Sequence, residues 1–143
     1  MALTLDQALT IATATLAEGR ARGFAPLCVA LLDTGGHVLA LLRDENASIG
    51  RPEIATAKAA GCLAMGFGGR ELARRALAVP HFFAALPAIF PRGIVPVAGG
   101  VLIRDGAGSL LGAIGVSGDT SDNDEICALA GIAAAGLIPE TGA

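Results

Sequence analysis

Apolar residues recur at helical spacing near the start of the chain. In "TLDQALTIATATLAEGRARG", Leu5, Ala8, Leu9, Ala12 and Leu16 fall on one stripe, which predicts a first helix. Thr4 followed by Gln7 is the signature of a capping box, and Gly19 or Gly23 ends the helix. Two apolar runs come next, "LCVALLD" (27–33) and "HVLALLR" (37–43), separated by Thr34, Gly35 and Gly36. That arrangement predicts a hairpin. The unbroken hydrophobicity of both runs predicts a sheet covered on both faces.

"DENASIGRPE" is a loop carrying helix-starting signals, Ser48 and then Pro52 near the first turn. The helix expected over 52–66 carries Ile54, Ala57, Gly61, Cys62 and Met65 along one side. A shorter helix follows over 69–78, and "VPHFFAALPAIFPRG" (79–93) reads as an apolar loop or broken helical turn. "IVPVAGGVLIRD" (94–105) and "SLLGAIGVSG" (109–118) form a second hairpin across Gly106, Ala107 and Gly108. Pro96 removes a ladder donor and marks an edge or an irregular strand start. Gly99 and Gly100 mark a bulge or a close backbone approach. A last helix near 121–136 is capped by Thr120 or Ser121. The order helix, hairpin, helices, hairpin, helix predicts one α+β domain over 1–143, with a central antiparallel sheet flanked by helices.

Composition changes this picture in two ways. Hydrophobic residues make up 53% of the 143 positions and charged residues only 16%, which predicts a homo-oligomer that hides apolar surface. No stretch approaches the ~18 unbroken apolar residues of a membrane span. A net charge of −3, with no tryptophan or tyrosine and no basic block, argues against nucleic-acid binding. The opening "MALTLDQ" lacks the basic and apolar regions of a secretion signal, so the cytoplasm is the expected location. Cys28, Cys62 and Cys127 lie far apart in apolar patterns and read as buried, reduced thiols.

The candidate chemistry centres on Lys58. Ile54, Lys58 and Cys62 are spaced by four, so the lysine stands within the apolar stripe of its helix. Two readings stand: a packed stem with its ammonium at the rim, or an ammonium held in a pocket for an anionic group. Arg43 ends the second strand, where its planar fork suits a carboxylate or pairs with Asp44 or Glu45. In "GAIGVSGDTSDNDE" (112–125), the glycines around Ser117 let backbone approach a ligand, and a helix N-terminus follows. Asp119, Asp122, Asp124 and Glu125 oppose an anion there. A strand-to-helix corner packed against Lys58 or Arg43, with Asp124 or Glu125 as partner, is the favoured reading. His37 reads as an exposed strand start, and His81 lies beside Phe82 and Phe83.

The segments "VALLDTGGHVLALLRDENAS", "IATAKAA", "VPVAGGVLI" and "LLGAIGVSGDTSDNDEICALAG" resemble the GlcG/HbpS family. That family includes the glycolate-operon protein GlcG and the haem-binding protein HbpS, and supplies the C-terminal domain of some corrinoid adenosyltransferases. The resemblance runs from about residue 4 to 137. It implies a profilin-like fold, assembly into dimers or larger rings, and binding of haem or a related tetrapyrrole in some members. It also carries the lysine of an "AxxKA" pattern onto Lys58, and an arginine-containing segment onto Arg43 and Ser48. Ligand contacts are expected from these residues, from His81, Gly99 and Gly100, and from Ser117 and Gly118. This chain has no histidine before His37 to match the one on the first helix of some haem-binding relatives. Three readings result: a small-ligand binder of this type, an enzyme acting on a small oxo or hydroxy acid, or an assembly subunit without pocket chemistry. In the enzyme reading Lys58 and Arg43 hold carboxylates, and Asp124 or Glu125 moves a proton.

Overall fold

Thr4 accepts a hydrogen bond from the Gln7 amide at 3.1 Å and its own amide donates to Gln7 Oε1 at 3.0 Å, so both halves of the expected capping box form. The computed structural model describes residues 2–143, so of the expected 1–143 span only Met1 lies outside the described residues. From this cap, α1 runs over Leu5–Ala21. Its buried stripe is Ala8, Ile11, Ala12, Thr15 and Gly19, whereas Leu5 and Leu9 face outward, contrary to the expected stripe. The reason is close helix packing. A Cβ added at Gly131 would come within 2.6 Å of Ile11 O and overlap Thr15 Oγ1, so only small groups fit this seam.

β1 (Cys28–Asp33) and β2 (Val38–Arg43) form the first hairpin, and β3 (Gly100–Arg104) and β4 (Leu110–Ser117) form the second. With β5 (Ile138–Glu140) they build one five-stranded sheet in the order β2-β1-β4-β3-β5, antiparallel throughout. Strand alternation sorts the two faces. Val29 and Leu31 pack with Ile11 of α1 and with Ile132 of α5 (Ser121–Ala134). Leu32, Leu102 and Ala113 pack on the other face against Ala59 and Cys62 of α2 (Arg51–Met65). β1 is therefore covered on both faces as expected. β2 is not: it is an edge strand, with Val38 and Leu41 exposed.

α2 buries Ala55, Ala57, Lys58, Ala59, Gly61 and Cys62, while Ile54 and Met65 of the expected stripe are only half-buried. Its first turn contains Pro52, but Gly50 occupies the cap position and Ser48 is exposed, so the serine does not start the helix by capping it. α3 (Gly69–Ala78) falls where the pattern placed it. The 79–93 segment is a short helix, α4 (Pro80–Ala85), continued by a 3-10 turn over Leu86–Ala88. Residues 94–99 stay out of the sheet, because Pro96 interrupts the run and the ladder begins only at Gly100.

Candidate functional site

The centre of the molecule is a buried ion pair. α2 carries Lys58 inward among alanines, and α5 brings Asp124 to meet it. Nζ donates to Asp124 Oδ2 at 3.1 Å and to the Val116 carbonyl at 2.9 Å. The two side chains are 4% and 1% exposed. Asp124 Oδ1 accepts from the Asp119 amide at 3.0 Å, so both carboxylate oxygens are used. Burial pushes the Asp124 carboxyl above its usual range, with the Lys58 charge pulling the other way. This is neither the rim lysine nor the anion-holding pocket, but the corner reading with Asp124 as the partner carboxylate. The ammonium does not reach the surface, and its donors go to a carboxylate and a carbonyl of its own chain.

Glycines make the pair possible. Gly99 has φ 107°, and a Cβ there would lie 2.9 Å from both Lys58 Nζ and Val116 O. A Cβ at Gly100 would lie 2.6 Å from the Lys58 carbonyl and 2.7 Å from Cys62 Sγ. The close backbone approach expected at these positions is thus an approach to α2. At Gly118, φ is 150° and a side chain would overlap Pro26 O.

The corner after β4 is saturated by its own chain. Thr120 caps α5 by accepting from the Asn123 amide at 3.2 Å. Asp119 accepts from the amides of Ala25 at 2.7 Å and Thr120 at 2.8 Å, and from Asn123 Nδ2 at 2.7 Å. These bonds, the one from Ala25 foremost, hold the Asp119 carboxyl below its usual range. Ser117, fully buried, accepts from Arg51 Nη1 at 3.0 Å. The segment is a strand-to-helix corner with Asp124 as the partner of Lys58, the favoured reading from its composition.

The remaining candidates lie elsewhere. Arg43 Nη1 donates to the carbonyls of Asp44, Glu45 and Ala47 at 3.1, 3.2 and 2.8 Å. It clasps the loop after β2 and pairs with no carboxylate. Ser48 is exposed, and its carbonyl accepts from the Arg51 amide at 3.1 Å. His81 is exposed on α4, beside the edge-to-face pair Phe82 and Phe83. Glu125 is buried, and Arg70 Nε stands 2.9 Å from each of its oxygens but makes a directional bond to Oε1 alone. Arg70 Nη2 also donates to Asp122 Oδ1 at 3.0 Å. Arg51 and Arg70 were not among the residues singled out from sequence, because an arginine at a helix start reads as an ordinary solvated charge.

Burial raises the thiols of Cys62 to about 12 and of Cys28 and Cys127 to about 11, so all three are un-ionised at neutral pH. Among the described residues no group of three or more His, Cys, Asp or Glu side chains is arranged for a metal ion. Two adjoining clefts of about 300 and 140 Å³ run along α2 beneath the 90–93 loop and share Pro91 and Arg92.

These features define a profilin-like α+β protein whose most buried charges hold its layers together. The family described as "Haem degrading protein HbpS-like" matches residues 3–133, and the chain belongs to that family. Several solved structures resemble it, three of which follow. HbpS is 30% identical with a TM-score of 0.80, covering 93% of this chain and 89% of that one. The PduOC:haem complex has a TM-score of 0.85 at 23% identity, covering 96% and 98%. Protein ORFY of Klebsiella pneumoniae, of the family DUF336, has a TM-score of 0.82 at 22% identity, covering 93% and 90%. No curated protein sequence matches the chain.

Proposed function

We propose that this protein binds haem or a related tetrapyrrole and works as a homo-oligomer. Membership of the HbpS-like family over residues 3–133 is the observation that carries the reading. The surface agrees with it. Leu5, Leu9, Val38, Leu41 and Ile49 are large apolar side chains left exposed, which a subunit contact would cover. Among the described residues no helix is long and apolar enough to cross a membrane. A cytoplasmic setting fits three free, buried thiols.

The side chains present suit such a ligand. Two imidazoles, His37 and His81, are accessible to a metal at the surface, and Arg92 is exposed for a carboxylate. When bound, haem supplies an iron centre with open coordination positions. The protein's part is to orient the macrocycle and to exclude water from one of its faces. Turnover of a small organic acid has no comparable support, since Lys58 and Asp124 bind each other and are closed to solvent.

Titrating haem into the purified protein tests the reading. A shifted, saturable Soret band is expected, and a spectrum identical to free haem at all ratios would end the proposal. Light scattering at micromolar concentration is expected to give a mass of at least two chains. A monomer there would contradict the oligomer.

A further inference from the structure

α1 turns Ala8, Ile11, Ala12, Thr15 and Gly19 into the core and leaves its other side open. That side shows Asp6, Thr10, Thr13, Ala17 and Arg20 to solvent, three or four residues apart and therefore on one stripe. Leu9, Thr10, Thr13, Ala14 and Ala17 line one shallow groove along it. Leu5 and Leu9 stand exposed beside the stripe in the first half of the helix. Only Ala17 and Ala21 are exposed as apolar groups in the second half. The large apolar side chains are at one end of the face and the small ones at the other.

The stripe also carries one charge of each sign. Asp6, in the first turn, makes no ion pair among the described residues. Arg20, in the last turn, donates from Nη2 to Asp44 Oδ2 at 3.3 Å, yet its side chain is 66% exposed. The two stand equally far from Thr13 in sequence, about 10 Å from it in each direction along the axis. Turning α1 end for end about Thr13 sets Asp6 of one copy against Arg20 of the other. The same turn sets Leu9 against Ala17 and Leu5 against Ala21. Charge and size then complement each other at both ends at once, as a two-fold contact requires. A lipid surface, or a partner of one charge sign, would match only one end.

We infer that the outer face of α1 is a contact between two copies of this chain, with their α1 helices antiparallel about Thr13; the inference rests on the homo-oligomer reading above. Thr10, Thr13 and Ala14 at the centre are small enough for the axes to approach to about 8 Å, and a crossing of about 20° keeps both charged ends in reach. The leucines of each copy fill the space above the alanines of the other. Each Arg20 guanidinium then lies between Asp44 of its own chain and Asp6 of the second copy, which its five-donor fork can serve together.

Light scattering and thiol cross-linking of the full chain test this. Asp6, Thr13, Arg20 and Ala107 are exposed, so substitutions there leave the fold intact. Thr13→Arg brings two guanidinium groups face to face on the axis and is expected to weaken self-association by about 100-fold, which lowers the measured mass. Asp6→Arg and Arg20→Glu are each expected to weaken it by about 10-fold. An equimolar mixture of those two variants is expected to regain the parent mass, because both end pairings are then opposite in sign. Thr13→Cys is expected to couple into a dimer with a short bis-maleimide. Ala107→Cys, at the tip of the β3–β4 hairpin, is expected not to couple, and the three native thiols are buried. A parent-like mass for Thr13→Arg, or a Thr13→Cys protein that stays uncoupled, would overturn the α1 contact while leaving the oligomer reading in place. A parent protein that scatters as a monomer would end that reading itself.

Discussion

Lys58→Met is expected to lower the unfolding free energy by about 3–5 kcal/mol at neutral pH, the usual cost of leaving one partner of a buried pair uncompensated. Methionine keeps the bulk of the stem but leaves Asp124, 1% exposed, without its cation. The double variant Lys58→Met, Asp124→Leu removes both charges and is expected to recover most of the loss, so the two substitutions are strongly non-additive. The raised Asp124 carboxyl gives the pH dependence its sign. A native-state value above the unfolded one means that the folded protein binds the proton more readily. Stability from this group is then complete at low pH and lost as pH rises through the native value. Removing Lys58 removes the largest lowering influence on Asp124, so the defect of Lys58→Met is expected to shrink as the pH is lowered from 8 toward about 5. Urea unfolding of the parent and both variants at these two pH values checks the claim. A Lys58→Met protein as stable as the parent at pH 8 would contradict it.

Gly115→Ala is the second large effect, expected to cost about 3 kcal/mol or more, at the upper end of overpacking losses. Gly115 sits in the middle of β4, opposite Ala30 of β1 and Gly100 of β3. A Cβ there would overlap the Ala55 carbonyl and lie 2.9 Å from the Ala59 amide nitrogen. Those atoms are helix backbone and have no rotamer to escape into. α2 would have to lift from the sheet, taking Lys58 with it. Gly50→Ala is the control: φ is −83° and nothing lies within 4 Å of the added methyl, so stability is expected to hold or rise slightly. Thermal melts that give Gly115→Ala and Gly50→Ala the same midpoint would contradict this packing.

Local signals carried the elements that obey local rules. The Thr4–Gln7 box, the turn glycines and the 69–78 helix depend on residues a few positions apart, and each is legible in a short window. The sheet's edges are not. β5 is three residues long and contains Pro139, too short for alternation to register. Its place beside β3 depends on where α5 delivers the chain. The outward turn of Leu5 and Leu9 likewise follows from the Gly131 seam, a contact between helices far apart in sequence.

For the site, the lysine in an apolar stripe was a true signal of burial, since a charge among Ile54, Ala57 and Cys62 needs a partner. Sequence offered Asp124 and Glu125 as candidates, and only tertiary packing chose between them. It gave Lys58 to the first and Arg70 to the second.

A crystal structure of the haem complex tests the account most directly. Haem is expected to bind outside the buried Lys58–Asp124 pair and to leave its 3.1 Å contact intact. A Lys58 ammonium drawn off Asp124 to meet the haem would contradict the account.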